Sequence, residues 1–160
     1  MSSGPQPRAA GPVVRVRGFD LALDRRYEPA THIWVADAGP GLVRIGMDPL
    51  GAETSGTLAQ ISLPGVGADL AAGRPFGQLE AVKFVGPLTS PVSGTVRAVN
   101  DAVAADPGLI ERDPFGAGWL IEAELADPAE LDGLLTDAAE ITAWYEARIE
   151  DYVRTGAIAR

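Results

Sequence analysis

Short runs in which apolar and polar positions alternate follow one another along most of the chain, each bounded by glycine, proline or aspartate. His32 to Ala36 and Leu42 to Ile45 are rich in β-formers, and Asp37-Ala38-Gly39-Pro40-Gly41 between them has the chemistry of a hairpin turn. Leu58 to Leu63 alternates and stops at Pro64-Gly65. Phe76 to Glu80 and a run from Phe84 onward follow, then Thr95 to Asn100 and Gly118 to Leu125. Asp48-Pro49 interrupts this series. It has the form of a helix N-cap followed by proline at the first helical position, and predicts one short helical turn to about Glu53.

The period changes near the end of the chain. Asp127-Pro128-Ala129-Glu130 combines an N-cap, a first-turn proline and a capping-box acid, and predicts a short helix to about Leu135. Asp137 repeats the start signal. Ile141, Trp144, Tyr145, Ile149, Tyr152 and Val153 then fall at helical spacing, so a longer amphipathic helix is expected to about Arg154, stopped near Gly156. Its aromatic stripe reads as core packing. Residues 1–18 are rich in Ser, Pro, Gly and Arg without clear periodicity and read as a disordered extension, in which Val13, Val14 and Val16 offer at most an edge strand. The expected organisation is therefore an extension over 1–18, a β domain over 19–126 and helices over 127–155 packed on it.

The middle of the chain echoes itself. Ser55-Gly56-Thr57-Leu58 returns as Ser93-Gly94-Thr95-Val96, and Pro75-Phe76-Gly77 returns as Pro114-Phe115-Gly116 at nearly the same displacement. This reads as two similar β-units that bury their apolar faces against each other.

Composition narrows the function. The chain has 160 residues, a one-domain length, and 46% hydrophobic residues, enough for a core. The formal net charge of −9 disfavours nucleic acid and anionic lipid as partners. No apolar run reaches the length of a membrane span, and the N-terminus has no secretory signal pattern, so a cytoplasmic location is expected. There is no cysteine, which excludes disulfides, thiolate metal sites and a cysteine nucleophile. His32 is the single histidine, so a His-rich metal site is excluded, and no G-x-S-x-G accompanies it. The composition points away from a catalyst and away from a metal site.

The basic residues number 13, and Lys83 alone among them is lysine. A coding bias toward Ala, Gly, Pro and Arg accounts for the scarcity of lysine but not for the position of the one that remains. Arginine keeps its charge and is no acylation nucleophile under ordinary conditions, whereas lysine is one. Lys83 falls between the strand ending at Glu80 and the strand starting at Phe84, at a tight reversal. An amine there projects from the sheet, where a modifying enzyme can reach it and an attached arm can swing.

The run Leu79-Glu80-Ala81-Val82-Lys83 to Pro91-Val92-Ser93-Gly94-Thr95-Val96 resembles the lipoyl-attachment region of the H-proteins of the glycine cleavage system. A glutamate stands three residues before the lysine, and a proline and a Ser-Gly pair follow it. His32-Ile33-Trp34-Val35 is similar to that family's His-Glu-Trp-Val. Asp113-Pro114-Phe115-Gly116-Ala117-Gly118-Trp119-Leu120 is similar to its Asp-Pro-Tyr-Gly-x-Gly-Trp-Leu. Gly46, Gly56, Asn100 and Pro107 to Ile110 also keep the family's pattern, and the likeness covers about Tyr27 to Leu135. It implies a mainly β fold, a flattened lipoyl-domain (hammerhead) barrel or sandwich with short C-terminal helices. It implies lipoate bound covalently to Lys83, with Glu80 recognised by lipoylating enzymes. It implies a non-catalytic carrier that takes an aminomethyl group at glycine decarboxylase and presents it to aminomethyltransferase, after which dihydrolipoyl dehydrogenase reoxidises the arm. His32 and Trp34 match family positions and read as structural.

The likeness weakens around the lysine. Met47-Asp48-Pro49-Leu50-Gly51 replaces the family's Thr-Asp-Tyr-Ala-Gln. Phe84 stands where a small residue is usual, and Gly86-Pro87 and Leu88 replace the Ser-Asp and Tyr beyond it. These changes leave open an H-like lipoate-binding protein of another pathway, such as heterodisulfide-reductase-like sulfur oxidation. A biotin carrier is a further reading, since Glu80-Ala81-Val82-Lys83-Phe84 approaches Glu-Ala-Met-Lys-Met without its methionines. An unmodified interaction module is the last.

Overall fold

A computed structural model describes residues 13–158. Eleven strands and four α-helices follow in order: β1 Val13–Val16, β2 Phe19–Ala22, β3 Arg26–Glu28, β4 Ile33–Gly39, β5 Leu42–Met47, α1 Pro49–Ser55, β6 Leu58–Ser62, β7 Asp69–Leu70, β8 Pro75–Ala81, β9 Val85–Thr89, β10 Gly94–Val99, α2 Asp101–Ala105, α3 Leu109–Arg112, β11 Ile121–Leu125 and α4 Ala138–Thr155. A short 3-10 stretch, Pro128–Gly133, precedes α4.

Six strands form one antiparallel sheet in the order β3-β4-β5-β11-β10-β7, and β6-β8-β9 form a second. Apolar side chains from both sheets meet in one core, among them Val35, Ile45, Ile61, Leu79, Leu88, Val96 and Ile121. The sheets do not join into a closed barrel; the arrangement is the sandwich form of the expected lipoyl-type fold. Strand β4 explains why the sequence around Trp34 is apolar without alternation. Ile33 and Val35 face the sandwich core, while Trp34 faces a second cluster with Tyr27, Leu50, Phe115, Tyr145 and Ile149. A strand buried on both faces has no solvent side for polar residues.

The second cluster is where the helices attach. Ile141, Tyr145 and Ile149 of α4 are fully buried, and Trp144, Tyr152 and Val153 pack half-buried against the same cluster, so the stripe expected as core is core at its centre and reaches the surface at Trp144 and Tyr152. Asp137 caps this helix by accepting from the Glu140 amide (3.0 Å), and Gly156, at φ 82°, ends it.

Three expectations are revised. The extension assigned to 1–18 gives way at Val13 to a strand: β1 pairs with β2 across the tight Arg17-Gly18 turn, and Val16 and Phe19 bury into the second cluster. Residues 1–12 lie outside the described residues. The helix expected from Asp127 to Leu135 is the shorter 3-10 stretch. Asp127 does cap it (3.1 Å to the Ala129 amide), but the Glu130 carboxylate reaches away to accept from the Ser93 amide (2.7 Å) and hydroxyl (3.0 Å). Leu135 is instead drawn into a bridge with Tyr27. Last, the internal echo holds only in part. The Ser-Gly-Thr segments do open equivalent strands, β6 in one sheet and β10 in the other. Phe76, however, lies within β8, whereas Phe115 sits in a turn after α3 and packs against Trp34. A buried ring beside a glycine suits either setting, so that motif does not specify its backbone.

Candidate functional site: the Lys83 turn and its cleft

Strands β8 and β9 pair as an antiparallel hairpin, with Glu80 opposite Val85. The Ala81 amide donates to the Phe84 carbonyl (2.8 Å), which leaves Val82 and Lys83 at the tip. The tip does not hang free. The Val82 amide donates to the Thr57 carbonyl (3.0 Å) and the Lys83 amide to the Ser55 carbonyl (2.8 Å). One acceptor is the last residue of α1 and the other lies in the connection to β6, and the two flank Gly56, which comes this close because it adopts φ 84° with no side chain. A Cβ there would stand 3.3 Å from the Lys83 amide nitrogen and Cγ. The lysine backbone is therefore pinned from below while its side chain is exposed. Among the described residues the Lys83 ammonium enters no ion pair and no side-chain hydrogen bond.

Glu80 is also exposed, between the buried Leu79 and Ala81 of the same strand. It makes no ion pair with Lys83, so the hairpin presents an acid and an amine separately. The surface around them is apolar: Val82, Phe84 and Val85 are 76%, 40% and 64% exposed. The Phe84 ring folds over Gly86, where a Cβ would come within 2.8 Å of it. The two departures from the family pattern at these positions are thus coupled, because the larger ring needs the missing side chain.

Beside the tip opens a cleft of about 310 Å³. Phe84, Leu88 and Thr89 come to it from the hairpin, Ser55 and Thr54 from α1, and Thr31, His32 and Ile33 from the start of β4. Its far wall holds a chain of hydrogen bonds that sequence reasoning did not find. Arg148 donates to the Tyr152 hydroxyl (3.0 Å), which stands 2.8 Å from His32 Nε2; His32 Nδ1 is 3.0 Å from Asp48 Oδ2. A neutral imidazole facing a carboxylate puts its proton on Nδ1, so Nε2 accepts from Tyr152 and the chain runs Arg148 to Tyr152 to His32 to Asp48. The second Asp48 oxygen accepts from the Gly51 amide (2.8 Å) and caps α1. His32 holds a left-handed conformation, φ 60°, to reach this position. It thus joins α4, α1 and β4, and its role is to build the wall.

Trp34 and the Asp113–Leu120 run form a separate knot away from the tip. Trp34 Nε1 donates to the Pro114 carbonyl (3.1 Å), and Asn100 Nδ2 donates to the carbonyls of Ala117 (2.8 Å) and Trp119 (2.6 Å). These motif residues hold the fold together at a distance from the hairpin tip. Among the described residues no group of acids and histidines could hold a metal ion, and no helix is long and apolar enough to cross a membrane.

Comparison with known proteins agrees with the geometry. Residues 25–148 match the family model described as glycine cleavage H-protein. A glycine cleavage system H protein of Mycobacterium avium is 39% identical over 125 residues, covering 78% of this chain and 94% of the relative. One from Micrococcus luteus is 43% identical over 107 residues, covering 66% of this chain and 84% of the relative. The crystal structure of a glycine cleavage system H protein from Mycobacterium marinum superposes with a TM-score of 0.68 at 34% identity, covering 78% of this chain and 98% of that one. Proteins of this family carry lipoate covalently on a lysine. On sequence and structure together, the chain belongs to the glycine cleavage H-protein family.

Proposed function

We propose that this protein is a lipoyl carrier, modified on Lys83, that serves glycine cleavage without being a catalyst itself. The observation that carries the reading is the presentation of the chain's one lysine, exposed and without an ion pair among the described residues, at a hairpin tip whose backbone is tied to Ser55 and Thr57. A family cofactor borne on lysine has one place to go in this chain. Acylation forms an amide at Nζ and removes the charge, and no ion pair among the described residues is broken when it does. When bound on Lys83, lipoate would supply a disulfide: its S–S bond would open as one sulfur takes the aminomethyl group released by glycine decarboxylase and the other becomes a thiol, and the dithiol left once aminomethyltransferase has removed that group would be reoxidised by dihydrolipoyl dehydrogenase. Glu80, exposed on the strand that leads to the tip, is the mark by which lipoylating enzymes recognise the turn. The protein works in the cytoplasm, alongside these partners.

A reconstituted assay tests this. Lipoylated protein, mixed with the three partner enzymes, should support glycine-dependent NADH formation, and Lys83→Arg should support none. Failure of the lipoylated protein where a control H-protein succeeds would assign the arm to another lipoyl-dependent system.

A further inference from the structure

Two residues of the hairpin depart together from the family pattern, and both lie where an enzyme modifying Lys83 must approach. Phe84 follows the lysine directly, and its ring lies over Gly86, where a Cβ would stand 2.8 Å from the tip of the ring. The ring is thus laid along the strand as an apolar shelf beside the amine, 40% exposed. Val82, on the other side of the lysine, is 76% exposed. Glu80 pairs across the hairpin with the exposed Val85, so the acid also has an apolar neighbour on its own face. An apolar collar of this kind marks a contact surface. The enzyme that attaches the lipoyl group has to reach Nζ of an unmodified lysine. Neighbouring Cα atoms lie about 3.8 Å apart and the lysine side chain extends only about 6 Å, so an acyl donor meets Nζ only if the enzyme surface closes over Val82 and Phe84. After attachment the reactive end of the arm lies roughly twice as far out, and an enzyme acting there has no need to touch the collar. A small residue after the lysine leaves that closing surface a flat approach, whereas Phe84 adds a ring that it must accommodate.

We infer that Phe84, seated on Gly86, is a specificity-determining residue of the attachment step: it selects a lipoylating enzyme with an apolar recess beside its lysine channel and turns away one shaped for a small residue. This rests on Lys83 being the lipoyl site. The ring acts on recognition and takes no part in the chemistry. In that step, as a ligase performs it, the bond from Nζ to the acyl carbon forms as the acyl–phosphate bond of lipoyl-adenylate breaks, AMP leaves and a proton of the amine passes to solvent.

The test compares two lipoate–protein ligases, each supplied with lipoate and ATP, on the full-length unmodified protein. One comes from the protein's own host, the other from a bacterium whose H-protein has a small residue after the lysine. Intact mass against time gives initial rates. With the host's ligase, Phe84→Ser should raise KM about tenfold and leave kcat unchanged, the mark of lost binding alone. Phe84→Leu, which keeps an apolar side chain, should recover most of that loss. With the other ligase, Phe84→Ser should instead lower KM. Gly86→Ser displaces the ring, so it should raise KM with the host's ligase in the parent and have no further effect once Phe84→Ser has removed the ring. Thermal midpoints of the variants separate these effects from unfolding. Once lipoylated, the parent and Phe84→Ser should be reduced by dihydrolipoyl dehydrogenase and NADH at equal rates. Equal KM for the parent and Phe84→Ser with both ligases, or a loss that falls on the dehydrogenase step as well, would overturn the inference while leaving the carrier reading intact. A parent protein that neither ligase modifies would remove both.

Discussion

Gly56 and Glu80 act on Lys83 in different ways, and substitutions separate them. Gly56→Ala places a Cβ against the Lys83 backbone at a φ that L-residues avoid, so it should destabilise the protein by about 1 kcal/mol or more and loosen the tip. Limited proteolysis across Val82 to Phe84 checks this, since cleavage should rise in the variant. Glu80→Gln should leave the thermal midpoint unchanged, because the side chain is exposed and has no ion pair among the described residues, yet slow lipoylation severalfold. A lipoylation time course decides, and an unchanged rate would make Glu80 an ordinary surface acid. Lys83 itself was legible in the sequence because one amine stood between two strand patterns. The tether was not: the Ser55-Gly56-Thr57 motif was visible as part of a repeat, but nothing in one chain shows that its carbonyls meet another hairpin.

Among the elements, α4 does most to close the fold behind the cleft. The Tyr145 hydroxyl accepts from the Leu50 amide (3.1 Å) and faces the Asp20 carbonyl (3.4 Å), so one ring ties α4 to α1 and β2. Tyr145→Phe leaves the buried Leu50 amide unpaired and should cost about 1–3 kcal/mol, measurable by urea denaturation. The strands and α4 could be read from periods of two and 3.6 together with their caps. Other features were hidden for physical reasons. Glu130 chose Ser93 over its own helix terminus, a tertiary contact that no capping pattern reveals. The partner of His32, Tyr152, is 120 residues away in the chain, and helical spacing marks Tyr152 only as part of an apolar stripe.

At the scale of the whole molecule, two buried phenols limit the alkaline range. Burial, reinforced by the charge of Asp48, holds the pKa of Tyr27 and of Tyr145 well above the ordinary value of 10.0. Above pH 10 the unfolded chain loses these protons while the folded one keeps them, so their contribution is fully present below pH 10 and declines as pH rises beyond it. Unfolding free energy should therefore fall steadily from about pH 10 upward, and a flat profile there would show that neither phenol is held neutral. At neutral pH the same scaffold keeps a rigid tip and an exposed apolar collar of Val82, Phe84 and Val85 around one amine. That arrangement suits an arm that several enzymes must reach in turn.

The most direct measurement is the intact mass of the protein expressed with lipoate in a host that modifies a control lipoyl domain, beside its Lys83→Arg variant. A lipoyl adduct on the parent and none on the variant is the predicted result. An unmodified parent, or an adduct that survives the substitution, would contradict the assignment of Lys83 as the attachment site.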